Sequence, residues 1–325
     1  MQLTCILAAA RIAFTPQTGS GVRHAIYHRK WVGVLGAALA VGLIQWTAPV
    51  ARADDAGKIE VVAAENFYGD LATQLGGNHV HVVSIMSDPN IDPHEYEADP
   101  KDAIAVAKAN IVIQNGADYD NWMPQLLGAS PNASRVVLTG AELSHDLLKE
   151  NPHVWYSLKN VRDIAAAIVK TYETLDAADT GEYEHNLQTF DDSLKPIEEE
   201  MESIRHDFSA TPVGLTETIY LYQTGPMELN VLTPWEFQHA IAEGNDPPVQ
   251  SIAAANAQVS GHEIKVLICN VQTITPITTH LQQEAKDANI PIVGVSETMP
   301  LNASYQSWML SQLQTLHTAL KSSAK

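Results

Sequence analysis

The chain reads as an α/β protein of two lobes, each a mostly parallel sheet flanked by helices, bridged by one long helix. Three observations predict this architecture. Short apolar, β-branched runs alternate with stretches of helical spacing, as strands covered on both faces require. The alternation occurs twice, once in each half of the chain. Between the halves, residues 180–208 keep helical spacing without interruption.

In the first half, Ile59 to Ala64 is a strand followed by helical spacing through Tyr68, Leu71 and Leu75, stopped by Gly76-Gly77. Val80 to Ile85 is a second strand, Pro100 to Asn110 a helix and Ile111 to Gln114 a third strand. A helix around Trp122 to Leu127 precedes the strand Arg135 to Leu138, and Leu158 to Leu175 is helical. In the Thr180–Phe208 stretch, Tyr183, Leu187, Phe190, Leu194, Ile197, Met201, Ile204 and Phe208 step by three and four, a stripe with one buried face. The second half repeats the pattern: a strand Pro212 to Thr216, a helical stretch from Glu217, and helices Pro234 to Glu243 and Pro248 to Val259. The strand Lys265 to Cys269, the helix Pro276 to Asn289, the strand Ile290 to Val295 and a helix from Tyr305 to about Lys321 complete it.

Residues 1–53 stand apart as a secretory signal peptide. Arg23, His24, His28, Arg29 and Lys30 make a basic region, Trp31 to Ile44 an apolar run, and Ala51-Arg52-Ala53 a small-x-small cleavage site before Asp54. The apolar run is shorter than the roughly 20 residues of a membrane span. Cys5 precedes the apolar run, so it is not a lipid-attachment cysteine, and the mature protein is expected to be soluble and periplasmic. The expected divisions are an N-terminal lobe at 54–179, the connecting helix at 180–208 and a C-terminal lobe at 209–325.

The overall charge is −19, and five of the 19 Lys/Arg lie in the leader with none of the 38 Asp/Glu, leaving −24 for the mature chain. Such a balance argues against nucleic acid or an anionic membrane as partner and suits attraction of cations. Only Cys269 remains after cleavage, inside Val-Leu-Ile-Cys-Asn, so it reads as a core residue and no internal disulfide is expected.

Two loops present a histidine directly after proline: Asp92-Pro93-His94-Glu95-Tyr96-Glu97 and Asn151-Pro152-His153-Val154-Trp155. Proline stiffens the backbone that carries each imidazole, which lowers the ordering cost of binding. Neutral imidazole is the commonest protein ligand of transition metals. One such histidine reads equally as a loop residue at a helix start, whereas a pair is what a metal site needs. Other histidines, among them His79, His81, His185, His206, His239, His262, His280 and His317, read as surface or satisfied core groups. In the second half, Glu217 and Glu297 each follow a short apolar strand, where ligands bind in an open parallel sheet. Taken alone, each glutamate is also a helix-start carboxylate favoured by the helix dipole.

Together these residues resemble the zinc/manganese-type metal receptors among the periplasmic solute-binding proteins of ABC importers. The resemblance is carried by Val62-Ala63-Ala64-Glu65-Asn66-Phe67-Tyr68, the two Pro-His loops and Ile113-Gln114-Asn115-Gly116. In the second half it rests on Thr216-Glu217 with Tyr222, Val271-Gln272-Thr273 and Val295-Ser296-Glu297-Thr298. It spans essentially the whole mature chain. It implies a two-lobed fold bridged by one long helix and a four-ligand cleft site of His94, His153, Glu217 and Glu297. It also implies a divalent metal as transported ligand, a membrane permease as partner, a monomeric receptor and no catalysis.

Two departures from the family pattern bear on the metal. Zinc receptors of the family usually place histidine where Glu217 stands, and many carry a His- and Asp-rich loop, whereas Ala117-Asp118-Tyr119-Asp120 is short and lacks histidine. Manganese-type members are more similar, although their last carboxylate is commonly Asp and the residue before Pro-His is Asp rather than Asn151. Two nitrogens with two carboxylates suit Mn²⁺, with Zn²⁺ close behind because raw affinity favours zinc. The rival class is a secreted metallohydrolase using the same His/carboxylate site, but no His-Glu-x-x-His or Gly-x-Ser-x-Gly motif is present. An adhesin-like surface protein is a third reading, disfavoured by the leader.

Overall fold

Strand β1 (Ile59–Glu65) can be buried on both faces because its β-branched and small side chains alternate between two apolar clusters. Val61 and Ala63 enter one, Val62 and Ala64 the other. This computed structural model describes residues 57–88 and 96–323, so the leader and His94 lie outside the described residues. Helix α1 (Asn66–Gly76) follows at once and stops where Gly77 takes φ 54°, a conformation that glycine adopts without steric cost.

The first sheet then adds β2 (Val80–Met86), β3 (Ile111–Gln114) and β4 (Val136–Thr139), with α2 (Pro100–Lys108), α3 (Trp122–Ala129) and the single turn α4 (Gly140–Leu143) between or after them. Asp99 starts α2 with a reciprocal cap involving Asp102, and Pro100 fits the first turn. Helix α5 (Leu158–Leu175) leads to α6 (Thr180–Ser193) and α7 (Lys195–Phe208). The second sheet holds β5 (Pro212–Leu215), β6 (Asn230–Val231), β7 (Val266–Asn270) and β8 (Ile292–Val295). Around it lie α8 (Leu221–Thr224), α9 (Trp235–Ala242), α10 (Val249–Ser260), α11 (Pro276–Asp287) and α12 (Tyr305–Ser323).

Both sheets are four-stranded and parallel, in the orders β2-β1-β3-β4 and β6-β5-β7-β8. Each chain half therefore repeats one strand order, with its switch point between the first and third strands. Such points are where open α/β sheets bind ligands. The expected two-lobed α/β class is the observed one. Inner residues of both sheets, Val61 and Ala63 with Val213, Val266 and Ile268, belong to one continuous apolar core, while Leu267 and Cys269 face a separate outer cluster. Cys269 is a buried free thiol whose acidity burial pushes to about 12, the inert core cysteine expected.

The halves are also tied by polar bonds. Asn66 Nδ2 donates to the Met299 carbonyl at 2.6 Å and Asn66 Oδ1 accepts from the Met299 N–H at 3.0 Å. Tyr156 donates to the Ser296 carbonyl at 2.7 Å and Tyr305 to that of Trp155 at 2.8 Å. Phe67 stacks on Trp155 with ring centres 4.5 Å apart, and on Trp308 with ring centres 6.1 Å apart.

Three local differences from the sequence reading have clear causes. The bridge over 180–208 is two helices separated at Leu194, because Pro196 brings no N–H and its ring crowds the preceding turn. Residues 216–220 form bends and turns, so the helix expected from Glu217 begins only at Leu221. Strand β6 has two residues at a sheet edge, too few for any alternation to mark it.

Candidate metal centre

His153 ends a loop that is held from three sides. Asn115 Nδ2 donates to the Pro152 carbonyl at 2.9 Å, and the Tyr222 hydroxyl donates to that of Asn151 at 3.2 Å. Asn151 itself reaches across the lobes, its Nδ2 donating to the Thr218 carbonyl at 2.9 Å. That bond makes Oδ1 the acceptor end of the amide, and Oδ1 lies 2.8 Å from His153 Nδ1. Nδ1 must therefore carry the proton, leaving the lone pair on Nε2. An outer partner that selects the metal-binding tautomer is a usual feature of histidine ligands.

Nε2 of the fully buried His153 faces Oε2 of the fully buried Glu297 at 4.0 Å. Two donors bound to one metal at about 2.0–2.2 Å can be at most about 4.4 Å apart, so this pair already stands within bridging distance. The second glutamate oxygen, Oε1, accepts from Asn270 Nδ2 at 2.5 Å and from Thr273 Oγ1 at 3.4 Å. Gln272 fixes the backbone below it, its Oε1 accepting from the N–H groups of Glu297 at 2.6 Å and Thr298 at 3.1 Å. One carboxylate oxygen is thus occupied by the protein while the other faces the imidazole.

Glu217 completes the group. One ligand atom from each of His153, Glu217 and Glu297 lies within 4.8 Å of the others, and all three side chains are buried. Glu217 lies in the bends before α8 and Glu297 in those after β8, well ahead of α12, so neither sits at a helix start. The helix-start reading of both carboxylates is thereby removed. Burying two carboxylates costs several kcal/mol each and their repulsion adds to that cost. A divalent cation offsets both penalties, and imidazole nitrogen with carboxylate oxygen is the donor set such an ion accepts.

Of the four residues expected from sequence, the structure brings these three together, while His94 lies outside the described residues. Two residues beyond it, Tyr96 is anchored, donating to Asp102 at 2.8 Å and packing on Trp122. Sequence reasoning misses Asp120, which orders the loop after β3 by accepting from the N–H groups of Asn115 at 2.6 Å and Gly116 at 2.8 Å. It also misses Tyr119, whose ring stands edge-on to His153 with centroids 6.0 Å apart. Burial first, then the charges of Glu297 and Glu65, hold the Tyr119 phenol well above its ordinary range. The sequence signal for both is the Asn115-Gly116 turn that ends β3. Among the described residues, one other group converges: His79 with Asp176 and Asp179, all partly exposed. His79 Nε2 also meets Glu182 at 3.0 Å, so the histidine is satisfied as a surface ion-pair partner.

Comparison with known proteins places these features. The chain is 28% identical over 156 residues to the metal ABC transporter substrate-binding lipoprotein SloC of Streptococcus mutans, covering 43% of this chain and 50% of that protein. It is 23% identical over 273 residues to the manganese ABC transporter substrate-binding lipoprotein PsaA of Streptococcus pneumoniae, covering 78% and 84%. The alignment thus spans half the length of SloC and most of PsaA. In fold it is similar to the periplasmic zinc binding protein TroA from Treponema pallidum, with a TM-score of 0.70 at 17% identity over 81% of this chain and 99% of that one. It is likewise similar to the Mn-bound periplasmic metal binding protein from Candidatus Liberibacter asiaticus, with a TM-score of 0.67 at 18% identity over 81% and 100%. A family model described as "Zinc-uptake complex component A periplasmic" matches residues 61–319, well over half the chain, and the protein belongs to that family, ZnuA.

Proposed function

We propose that this protein is a periplasmic solute-binding receptor that captures a divalent transition-metal ion in the cleft between its lobes and delivers it to the membrane permease of an ABC importer. The observation that carries this reading is the convergence of buried His153, from the loop after α4, with buried Glu217 and Glu297, just beyond β5 and β8 of the second sheet. His94 is the fourth ligand of the proposed set, eight residues beyond the end of β2 in the sequence. The ion is cargo; no bond of a substrate is broken. The hydrolase alternative draws no support from the relatives, which are named as transport components.

Mn²⁺ is the favoured cargo, with Zn²⁺ close. Glu217 and Glu297 supply carboxylate oxygens able to bind through one or two atoms, which suits coordination above four. The receptor is taken to work as a monomer without a lipid anchor, its leader cleaved before Asp54, and no described helix is long and apolar enough to cross a membrane. Its working parts are a lobe at 54–179, a bridge at 180–208 and a lobe at 209–325.

Thermal melting of metal-stripped protein with Mn²⁺, Zn²⁺ or Mg²⁺ tests the reading. Ligand at a hundredfold its dissociation constant adds about 2.7 kcal/mol of stability. A rise with Mn²⁺ and Zn²⁺, absent with Mg²⁺ and abolished in His153→Ala, is the expected result. Melting indifferent to all three ions overturns it.

A further inference from the structure

Glu65 is fully buried at the carboxyl end of β1, the first of the two strands that flank the switch point of the first sheet. Its position repeats that of Glu217. Val61 pairs with Ile111 in the first sheet, as Val213 pairs with Val266 in the second. Four residues beyond Val61 and Val213 stand Glu65 and Glu217; four beyond Ile111 and Val266 stand Asn115 and Asn270. Each lobe therefore offers a glutamate beside an asparagine at its own switch point. Glu217 belongs to the converging ligand group and Glu65 does not.

The surroundings of Glu65 differ from those of an ordinary buried carboxylate. Neither of its oxygens accepts a hydrogen bond among the described residues, and although it occupies the N-cap of α1 it makes no cap bond. Burying a carboxylate without a donor is among the costliest arrangements a fold can hold. The charged neighbour is Asp120, after β3, whose two oxygens each accept a backbone N–H. The negative charge of that pair belongs on Asp120, which has the donors. The phenols of Tyr68 on α1 and Tyr119 on the loop after β3, raised first by burial, also feel the Glu65 charge. Asn115, level with Glu65 at the end of β3, donates to the Pro152 carbonyl beside His153 at 2.9 Å, which puts Glu65 at the rim of the centre. Burial, with Asp120 adding, holds the Glu65 carboxyl well above the usual carboxylate range.

We propose that Glu65 is the proton-carrying carboxyl of the metal centre, a neutral acid while the cleft holds no cation that releases its proton to solvent when a divalent ion enters beside His153, Glu217 and Glu297. The O–H bond of the carboxyl breaks and the proton leaves because the ion neutralises Glu217 and Glu297, whose charges oppose a further anion nearby. The carboxylate stays unbound to the metal, held by the field of the ion. Glu65 is a positioning residue, and the inference rests on the receptor reading above.

Calorimetric titration of the full exported chain with Zn²⁺ and with Mn²⁺, in two buffers of different ionisation enthalpy, counts the protons released per ion. Wild-type protein releases more than Glu65→Gln, by up to one proton. Its binding constant also climbs more steeply with pH, by up to about tenfold per unit. Infrared difference spectra of the wild type carry the same information without dependence on how the variant folds: a protonated-carboxyl band disappears on adding Zn²⁺. Equal proton counts and parallel pH dependences, or no loss of that band, overturn the role of Glu65 while binding that still requires His153 leaves the receptor reading standing. No binding heat from wild-type protein with either ion overturns both.

Discussion

Nε2 of His153 and Oε2 of Glu297 lie 4.0 Å apart, fully buried, although one follows the first sheet and the other the second. The pair spans the cleft, so the geometry of one lobe is readable only through the other. Their outer partners are both asparagines, Asn151 on the imidazole and Asn270 on the carboxylate.

Asn151 sets the tautomer of His153 through an amide whose own orientation is fixed by Thr218. Asn151→Leu removes that selection and should weaken Zn²⁺ and Mn²⁺ binding by about 10–100-fold, the usual effect of losing such a partner. Asn151→Asp keeps the acceptor and adds charge, so its affinity should match or exceed wild type. Competition against a fluorescent chelator separates the two outcomes.

Glu217 is the position where this chain departs from the zinc-type pattern. Glu217→His should shift preference towards Zn²⁺ and weaken Mn²⁺, because one neutral nitrogen replaces an anionic group able to give two oxygens. Glu217→Ala should weaken both. A change of about 1.4 kcal/mol is already tenfold, within reach of direct competition between the ions. Unaltered affinities in Glu217→Ala, with only a lower melting temperature, would remove the residue from the site.

His79 links the end of the first β-α-β turn to the start of the bridge. Its hydrogen bond to Glu182, with the charges of Asp179 and Asp176, holds its proton affinity above the ordinary range. Folding therefore favours the protonated form. The stabilisation is complete below about pH 6.5, where the unfolded histidine is also protonated, and fades as pH rises through the higher folded value. His79→Gln should lower the melting temperature more at about pH 5.5 than at about pH 9. The opposite ordering, or equal losses, would show that the ion pairs contribute nothing.

Gly140 begins α4 against Tyr68, and a Cβ there would run into the phenol oxygen and ring carbon of that tyrosine. Tyr68 in turn donates to Asn115 Oδ1 at 2.8 Å, and Asn115 holds the His153 loop. Gly140→Ala should cost about 1–3 kcal/mol, typical of overpacking, and weaken metal binding as well. Urea unfolding beside a metal titration checks both parts.

Much of this fold is legible in the sequence because parallel strands buried on both faces need unbroken apolar runs, as in Ile111–Gln114 and Val266–Asn270. His153 is legible because a proline stiffens the loop that carries it, and Glu297 because it stands two residues past such a run. Glu65 is harder to read. A carboxylate placed between a strand and a helix looks like a cap, and only the absence of a cap bond shows otherwise. The bends at 216–220 escape notice for a related reason: Ile219, Leu221 and Tyr222 have helical spacing, yet the backbone turns first to aim Glu217 inward. The orienting residues Asn270 and Asp120 carry no spacing signal, since their role depends on a partner strand rather than on their own.

Trp155 lies fully buried between Phe67 and His153, with ring centroids 4.5 Å and 5.3 Å away. An indole so close to the imidazole senses any change in that ring's charge, and the rigid stack leaves it no freedom to relax away. The protein thus carries its own optical gauge: the emission of Trp155 should shift as a cation settles on the neighbouring ring, letting cargo loading be followed by light alone, without a label, in stopped flow.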